Sequence, residues 1–384
     1  MIPYGRQTIS DADIESVVQV LRSDYLTQGP QVPAFEEAVA RHVGAPYAVA
    51  VNSATSALHM ACLALGLGPG DWLWTSPNSF VASANCALYC GAQVDFVDID
   101  PRTYNICTQA LSDKLAHAKK VSRLPKVVVP VHFAGQSCDM QAIAALAREY
   151  GFKVIEDASH AIGGRWQGSY VGGCQYSDIT VFSFHPVKII TTAEGGLLTT
   201  RDAGISQRLA DLRSHGITRD AARLERQEQG GWYYEQQSLG FNYRMTELQA
   251  ALGVSQMTQL SRFVARRHVL VARYERGLVD LPLVRPWQHP ESYSAFHLYV
   301  IQVTEGARVG RRALFDALRS AGVLVNVHYI PIHLQPHYQR MDFKAGDFPN
   351  AEAYYGAAIS LPLYADLTES DQDYVISKLK EYLQ

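Results

Sequence analysis

One lysine in the sequence has the surroundings that amine chemistry needs. Lys188 follows a strand-like run that Pro186 ends, and its neighbours Val187, Ile189 and Ile190 are apolar. Desolvation lowers the pKa of an amine, and a neutral amine is the nucleophile of Schiff-base chemistry. The alternative is a loop lysine whose stem covers apolar surface, and this segment alone favours that alternative.

A carboxylate and a phosphate-binding motif accompany this lysine. Asp157 ends the strand-like run in VIEDASH (154–160), so it faces the usual ligand crevice of an open α/β sheet, unless it only caps a helix or lies in a turn. NSATSALH (52–59) joins a strand to a helix, and the free N–H groups of a helix N-terminus suit a phosphate. Simple capping by Ser53 or Thr55 is the alternative. Together, the amine, the carboxylate and the phosphate site are the parts that pyridoxal phosphate (PLP) requires.

The elements that must position these groups alternate along the chain. A helix is predicted from Ser10 and another from about Pro33 to Val43. Helical patterns at 54–65 and 139–150 then alternate with short apolar runs. These runs are typical of buried strands and lie at 47–51, 94–97, 127–133, 153–156, 179–184 and 196–200. The alternation predicts an α/β fold with a largely parallel sheet.

The pattern weakens beyond residue 205, and the last part of the chain is predicted to form a smaller α+β domain. Residues 220–238 are polar and predicted as a loop, and a long helix is predicted from Thr246 to about Leu278. Two strand-like and two helical segments follow at 296–303, 308–321, 323–329 and 369–383. The predicted domains are residues 1–255 and 256–384.

Composition argues against several classes of protein. The 384 residues are 47% hydrophobic and 18% charged, which is typical of a folded globular protein. A net charge of −3 without a long basic run argues against a nucleic-acid partner. We find no signal-peptide pattern and no apolar stretch long enough to span a membrane. The six cysteines form no CxxC pair, so we expect no metal site and a cytoplasmic location.

A series of stretches along the chain occurs in an order that is typical of one family. They are LTQGP (26–30), NSATSALH, SFVASANCALYCGA (79–92), EDASHAIGG (156–164), SFHPVKIITTAEGG (183–196), RSHG (213–216), GFNYRMTELQAA (240–251) and ISLPLY (359–364). Through them the chain resembles the DegT/DnrJ/EryC1/StrS sugar aminotransferases from about residue 2 to residue 383. The resemblance implies a fold type I PLP-dependent transferase, whose large domain has a mixed, mostly parallel sheet.

The resemblance also implies roles for individual residues. Lys188 carries PLP as a Schiff base, Asp157 bonds the pyridine nitrogen, His160 lies near the 3-hydroxyl and Phe80 stacks on the ring. The phosphate is held by Thr55, Ser56 and Ser183. Asn242 reaches the phosphate of a neighbouring subunit, so a homodimer with shared active sites is expected. Without the resemblance, Phe80 reads as a core aromatic and Asn242 as a turn residue.

Two positions depart from the family pattern. Ile189 follows the lysine where proline or asparagine is expected, and Ala193 stands where glycine is common. Neither change removes a chemical group. Lys188 itself excludes the dehydratase branch of the family, which carries histidine at that position.

Other stretches are similar to the aminotransferases of pseudaminic acid biosynthesis: PYGRQ (3–7), YLTQGP, SFHPVK and VHYIPIHLQPHYQ (327–339). The similarity implies amino transfer from L-glutamate to C4 of a UDP-linked 4-keto-6-deoxy-N-acetylhexosamine, forming UDP-4-amino-4,6-dideoxy-N-acetyl-β-L-altrosamine. The implied sugar or diphosphate pocket comprises Tyr4, Arg6, His328, Tyr329 and His333. Ordinary packing and surface polarity are the alternative for all of these residues.

Three other functions are weighed against this one. Another nucleotide-linked 4-keto or 3-keto sugar, with UDP or dTDP, is the alternative within aminotransferases. A dinucleotide-dependent oxidoreductase would need a glycine motif after its first strand, but GLGPGD (66–71) follows a helix. A non-catalytic binding protein has no need of both Lys188 and Asp157.

Overall fold

The chain folds around a seven-stranded sheet, in a computed structural model that describes residues 1–226 and 229–384. In chain order the strands are β1 (Tyr47–Val51), β2 (Trp72–Thr75), β3 (Gln93–Phe96), β4 (Val127–Val129), β5 (Lys153–Asp157), β6 (Ile179–Ser183) and β7 (Gly196–Thr200). Their order across the sheet is β1-β7-β6-β5-β4-β2-β3. Strand β7 runs antiparallel to both neighbours, and every other pair is parallel. The predicted mixed, mostly parallel sheet is confirmed.

The described residues also form helices. They are α1 (Asp11–Leu21), α2 (Gln31–Val43), α3 (Ala54–Ala64), α4 (Ala82–Tyr89), α5 (Thr108–Lys120), α6 (Met140–Tyr150), α7 (Ala203–Arg213), α8 (Glu247–Met257), α9 (Leu260–Gly277), α10 (Arg311–Ser320), α11 (Pro336–Gln339), α12 (Pro349–Ala357) and α13 (Glu369–Leu383). Within the described residues, no helix combines the length and the apolar character that a bilayer crossing requires.

Both faces of the sheet are buried, which is why its strands are apolar runs. Val127 and Val129 belong to one hydrophobic cluster, together with residues of α3 and α4. Val128 belongs to a second cluster, together with residues of α5 and α6. Since successive side chains of a strand point to opposite faces, these clusters lie on opposite sides of the sheet.

The predicted helix starts are confirmed by their caps. Ser10 accepts a hydrogen bond from the backbone N–H of Asp13, whose carboxylate accepts one from the Ser10 N–H (2.8 Å). Asp139 caps α6, and Thr368 caps α13 by accepting from the N–H of Asp371 (3.0 Å). Each cap satisfies an N–H group that the first helical turn leaves unpaired.

Two predicted elements differ in the structure. The long helix from Thr246 to about Leu278 is two helices, α8 and α9. Between them the N–H groups of Thr258 and Gln259 donate to the carbonyls of Ser255 (3.1 Å) and Gln256 (3.0 Å), three residues back instead of four. The run 323–329 is a strand only at Val323–Leu324, which pairs in parallel with Ile2–Pro3. Strand β2 and helices α4, α5, α7, α11 and α12 were not predicted. Strand β2 has only four residues, too few to show a clear alternation of side chains.

Short elements complete the chain. A three-stranded antiparallel sheet contains Leu283–Val284, Tyr299–Val303 and Ala358–Leu361, and it shares a core with α9, α10 and α13. The other short strands are Arg165–Trp166, Ser169–Tyr170, Ile217–Thr218, Glu235–Gln236 and Ser292–Tyr293, and the 3₁₀ turns are Phe133–Gly135, Ala221–Arg223 and Ile332–Leu334. The division into domains near residue 255 stays a prediction, and that residue lies inside α8. Residues 227 and 228 of the predicted loop 220–238 lie outside the described residues.

Candidate active site

A cavity of about 520 Å³ lies at the carboxyl edge of the sheet, where the segments after β1, β2, β4, β5 and β6 meet. Its volume is within the range of small-molecule sites, and this edge is the usual ligand crevice of α/β sheets. It is lined by Tyr4, Ser53, Ala54, Thr55, Leu58, Ser79, Phe80, Ala82, Ser83, Val131, Asp157, Ser159, His160, Ser183, His185, Val187, Lys188, Glu194, Asn326, Val327, His328 and Tyr329.

Lys188 reaches the cavity from the loop after β6. Its backbone N–H donates to the carbonyl of His185 (2.9 Å), which fixes the turn that carries the side chain. The side chain is partly accessible because it faces the cavity, while protein displaces most of its water. This desolvation lowers the pKa of Lys188 to about 8, against the opposing effect of the Asp157 charge. A much larger share of Lys188 is therefore neutral at pH 7 than of an ordinary lysine.

The loop returns to β7 through a strained position. Ala193 has a φ of 64°, in the left-handed region that favours glycine. Its backbone N–H donates to the hydroxyl of Thr191 (2.9 Å), which helps to hold this conformation. The departure from the family pattern at Ala193 therefore costs about 1–2 kcal/mol of backbone strain, and the turn is kept.

Asp157 is the last residue of β5, and its carboxylate is buried at the base of the cavity. Oδ1 accepts hydrogen bonds from the backbone N–H (3.1 Å) and the hydroxyl (2.6 Å) of Ser159. Oδ2 accepts one from the hydroxyl of Ser83 (2.6 Å). These donors replace the water that the buried carboxylate has lost.

His160 is held as a neutral ring. Its Nδ1 accepts a hydrogen bond from the Ala134 N–H (3.3 Å), which leaves the proton on Nε2, 3.1 Å from the hydroxyl oxygen of Tyr329. Burial, followed by the charge of Lys188, lowers the pKa of His160 well below its usual value. Since Nε2 donates to Tyr329, the hydroxyl hydrogen of Tyr329 is free to point at a ligand oxygen.

The start of α3 forms one wall of the cavity. Ser53 caps the helix by accepting from the Ser56 N–H (3.1 Å), and the Ser56 hydroxyl donates to Asn52 (2.7 Å). Thr55 is not used in this cap and lines the cavity. A Cβ on Gly196 would lie 2.4 Å from the Ser53 carbonyl oxygen, so glycine is what allows β7 to approach this helix start. Both capping and an open helix N-terminus are therefore present.

Aromatic rings form the remaining walls. Phe80 is 59% exposed although it lines the cavity, so its ring face is open to a ligand. Its centroid lies 6.4 Å from that of Tyr329. Tyr4 packs against His328 (5.2 Å), whose Nδ1 lies 2.8 Å from the hydroxyl of Ser360. Burial and the charge of Lys188 lower the pKa of His328 to about 3, so this ring is neutral.

Four of the sequence-predicted residues do not line this cavity. Ser56 is engaged in the α3 cap, and the side chain of His333 is buried against Glu352 (2.9 Å). Arg6 is exposed near the N-terminus. Asn242 is exposed and forms a backbone bridge with Ser214. The single chain therefore brings the predicted PLP residues together except for Ser56 and Asn242.

Several residues of the cavity were not singled out from the sequence. Ser79 and Ser83 lie four residues apart in SFVASANCALYCGA, Ser79 before α4 and Ser83 in its first turn, and Ser159 lies inside EDASHAIGG. The motifs contained these residues, but only the structure distinguishes them: Ser83 and Ser159 donate to Asp157, and Ser79 bonds to Ser83. Asn326 follows a short strand and had no sequence signal.

A buried carboxylate, an amine of low pKa, an open aromatic face and a helix N-terminus in one cavity fit PLP, which needs an acidic partner, a Schiff-base lysine and a phosphate site. These features on a mostly parallel sheet are those of a fold type I PLP-dependent enzyme. A family model for the DegT/DnrJ/EryC1/StrS aminotransferase family matches residues 7–380. The chain belongs to this family of PLP-dependent sugar aminotransferases, which confirms the class and the cofactor predicted from the sequence.

Known relatives extend over the whole chain. SpsC, the spore coat polysaccharide biosynthesis protein of Bacillus subtilis (strain 168), is 40% identical over 387 residues, covering 100% of this chain and 97% of SpsC. The structure of Helicobacter pylori PseC, an aminotransferase involved in the biosynthesis of pseudoaminic acid, matches with a TM-score of 0.90 and 31% identity, covering 100% and 99% of the two chains. The putative sugar aminotransferase Spr1654 from Streptococcus pneumoniae, in its PMP form, matches with a TM-score of 0.91 and 29% identity, covering 100% and 99%.

Proposed function

We propose that this chain transfers an amino group from L-glutamate to C4 of a UDP-linked 4-keto-6-deoxy-N-acetylhexosamine, as in the pseudaminic acid pathway. The observation that carries the proposal is the likeness to PseC over 100% of the chain. The cavity supports it, because Tyr4, His328 and Tyr329, which were predicted for the sugar pocket, line it together with Lys188.

The cofactor would be held by residues from four segments. Lys188 would bond it covalently, and Asp157, at the base of the cavity, would accept from the pyridine N–H. Phe80 would cover the ring face, and His160 would lie near the 3-hydroxyl. The phosphate would bind at the start of α3 beside Thr55, where the helix dipole favours an anion, with Ser183 at the end of β6 as a second contact. Ser56, which was also predicted to hold the phosphate, would act only by keeping the α3 cap in place. Bound PLP supplies an electron sink for the C–H bond broken during amino transfer.

Lys188 would also move a proton. Whenever it is not bonded to the cofactor, its Nζ would be a free amine in the cavity. An amine whose pKa is about 8 can both accept and return a proton near neutral pH. We propose that Lys188 transfers the proton at C4 of the sugar, while the free hydroxyl of Tyr329 donates to a sugar or cofactor oxygen.

The nucleotide would extend toward the N-terminal segment and the last part of the chain. Tyr4 and His328 lie on that side of the cavity and pack against each other. Arg6 follows Tyr4 by two residues and is exposed, so a diphosphate could meet its guanidinium at the cavity mouth. His333 is buried against Glu352 and would act only through the packing of the segment that carries Tyr329.

We propose a homodimer in which Asn242 completes the neighbour's site. Asn242 is exposed and lies outside its own cavity, next to Tyr243, whose carbonyl accepts from the N–H of Asn52 at the start of α3. Mixing Lys188→Ala protein with Asn242→Ala protein under subunit exchange should therefore restore one good site per heterodimer. Activity of the mixture would be compared with that of each parent. No recovery, with exchange proven by mass, would argue against a shared site.

A second acceptor is favoured by a separate observation. SpsC, a spore coat polysaccharide biosynthesis protein, is 40% identical to this chain, which is more than the 31% of PseC. The alternative is therefore the same reaction on another nucleotide-linked 4-keto or 3-keto sugar.

A panel of keto-sugars separates these functions. Enzyme and glutamate would be incubated with UDP-4-keto epimers, a dTDP-4-keto sugar and a 3-keto sugar in separate reactions. We expect 2-oxoglutarate and a 4-amino sugar from the UDP-linked 6-deoxy-N-acetyl substrate, with NMR giving the position and configuration of the amine. Exclusive use of a 3-keto or dTDP-linked sugar would overturn the acceptor and leave the aminotransferase intact.

A further inference from the structure

Two buried serine hydroxyls form a hydrogen-bonded chain that ends at the carboxylate of Asp157. The Ser83 hydroxyl lies 2.6 Å from Oδ2 of Asp157, and the Ser79 hydroxyl lies 2.7 Å from that of Ser83. Ser83 is 1% exposed and Ser79 is 3% exposed. Water therefore has little access to compete for these contacts.

The chemistry of the groups fixes the direction of these bonds. An ionised carboxylate only accepts, so Ser83 donates its hydrogen to Asp157. The oxygen of Ser83 must then accept from Ser79, which gives a chain of donors from Ser79 through Ser83 to Asp157. Hydrogen bonds in such a chain polarise one another, and a bond to a charged acceptor is the stronger kind.

The same segment also reaches the ring site. Residues 79–83 enter α4, and Phe80, between the two serines, faces the cavity with its ring exposed. Ser159 holds the other oxygen of Asp157 from the opposite side. Both carboxylate oxygens are thus fixed by donors, and one of these donors belongs to the segment that carries the ring-stacking residue.

We infer that Ser83, supported by Ser79, is a positioning residue for the reaction: it holds the Asp157 carboxylate in the orientation that keeps the pyridine nitrogen of PLP protonated. The inference rests on the proposed role of Asp157 and not on the identity of the sugar. Without Ser83, Oδ2 loses its protein donor and the carboxylate can turn away from the ring. The nitrogen then loses its proton at lower pH.

The protonation of the PLP pyridine nitrogen can be measured directly. Holoenzyme would be prepared with PLP labelled with ¹⁵N in the pyridine ring, and the ¹⁵N chemical shift would be followed against pH. For Ser83→Ala we expect deprotonation at lower pH than in the wild type and a kcat about 10- to 100-fold lower, the loss typical of a hydrogen bond to a charged group, with little change in KM for glutamate. Ser83→Thr keeps the hydroxyl and should restore both values.

Ser79 gives a second, independent test. Ser79→Ala should lower the pKa of the pyridine nitrogen too, but by less than Ser83→Ala does. In the Ser83→Ala background it should add nothing, because its contribution passes through Ser83. Additive shifts would overturn the chain of donors, and an unchanged or raised nitrogen pKa in Ser83→Ala would overturn the positioning role.

Two controls separate the possible failures. Ser137 is buried and donates to the Cys138 carbonyl (2.8 Å) away from the cavity, so Ser137→Ala should remove a buried hydroxyl without moving the nitrogen signal. Asp157→Asn should change the pH dependence of the ¹⁵N signal strongly. If Asp157→Asn changes the signal and Ser83→Ala does not, the inference fails alone. If neither changes it, the assignment of Asp157 fails, and the keto-sugar panel still tests the reaction.

Discussion

Replacement of Lys188 by alanine is expected to lower amino transfer by at least about 10⁴-fold. The variant loses the nucleophile that bonds the cofactor and the amine that moves the proton, and each of these roles contributes orders of magnitude. In the wild type, borohydride should fix a phosphopyridoxyl group on Lys188, and peptide mass analysis would locate it. The label on another lysine, or none, would contradict the assignment.

The pKa of Lys188 adds a signature to this test. Only the neutral amine attacks the cofactor aldehyde, so PLP should attach to the apoprotein faster as pH rises, with a midpoint near 8. An ordinary lysine would keep gaining rate up to about 10.4. Lys153 is a suitable control because it is exposed and paired with Asp178 at the opposite edge of the sheet. Lys153→Ala should retain the label, the midpoint and the activity.

Replacement of Asp157 by asparagine is expected to lower transamination by about 10²–10³-fold, the loss typical of a preorganised electrostatic contact. The amide has the shape of the carboxylate but no charge to hold a proton on the pyridine nitrogen. Cofactor should still bind, because Lys188 and the start of α3 are unchanged. Single-turnover conversion of the visible PLP band by glutamate measures the effect, and near-normal turnover would place the acidic partner elsewhere.

The neighbouring carboxylate provides the matched control. Glu156 is buried like Asp157 but lies one residue earlier on β5, so its side chain points to the other face of the sheet. It pairs there with His132 (2.7 Å). Glu156→Gln should therefore change the denaturation midpoint while the folded variant keeps its PLP spectrum and turnover. The comparison separates loss of a buried charge from loss of the contact with the cofactor.

The sequence by itself determined the layers of the fold and the chemical groups of the site. Apolar runs such as 179–184 predicted strands because a sheet covered on both faces needs apolar side chains on both faces. Lys188 and Asp157 were predicted beside strand ends, and the structure has them there. These features are local: each depends on the order of residue types over about ten positions, which a sequence displays directly.

Only the tertiary structure decided which of these groups meet. Ser83 and Asp157 are 74 residues apart, and His160 and Tyr329 are 169 apart, yet both pairs are in hydrogen-bond contact. Such contacts depend on the order of strands across the sheet, which no local period encodes. The strand predicted over 323–329 likewise ends at Leu324, and residues 326–329 leave the strand and line the cavity. Strand β7 lies antiparallel between β1 and β6. Gly196 on β7 packs directly against the backbone of Ser53 at the start of α3, and this contact joins segments that are far apart in the sequence.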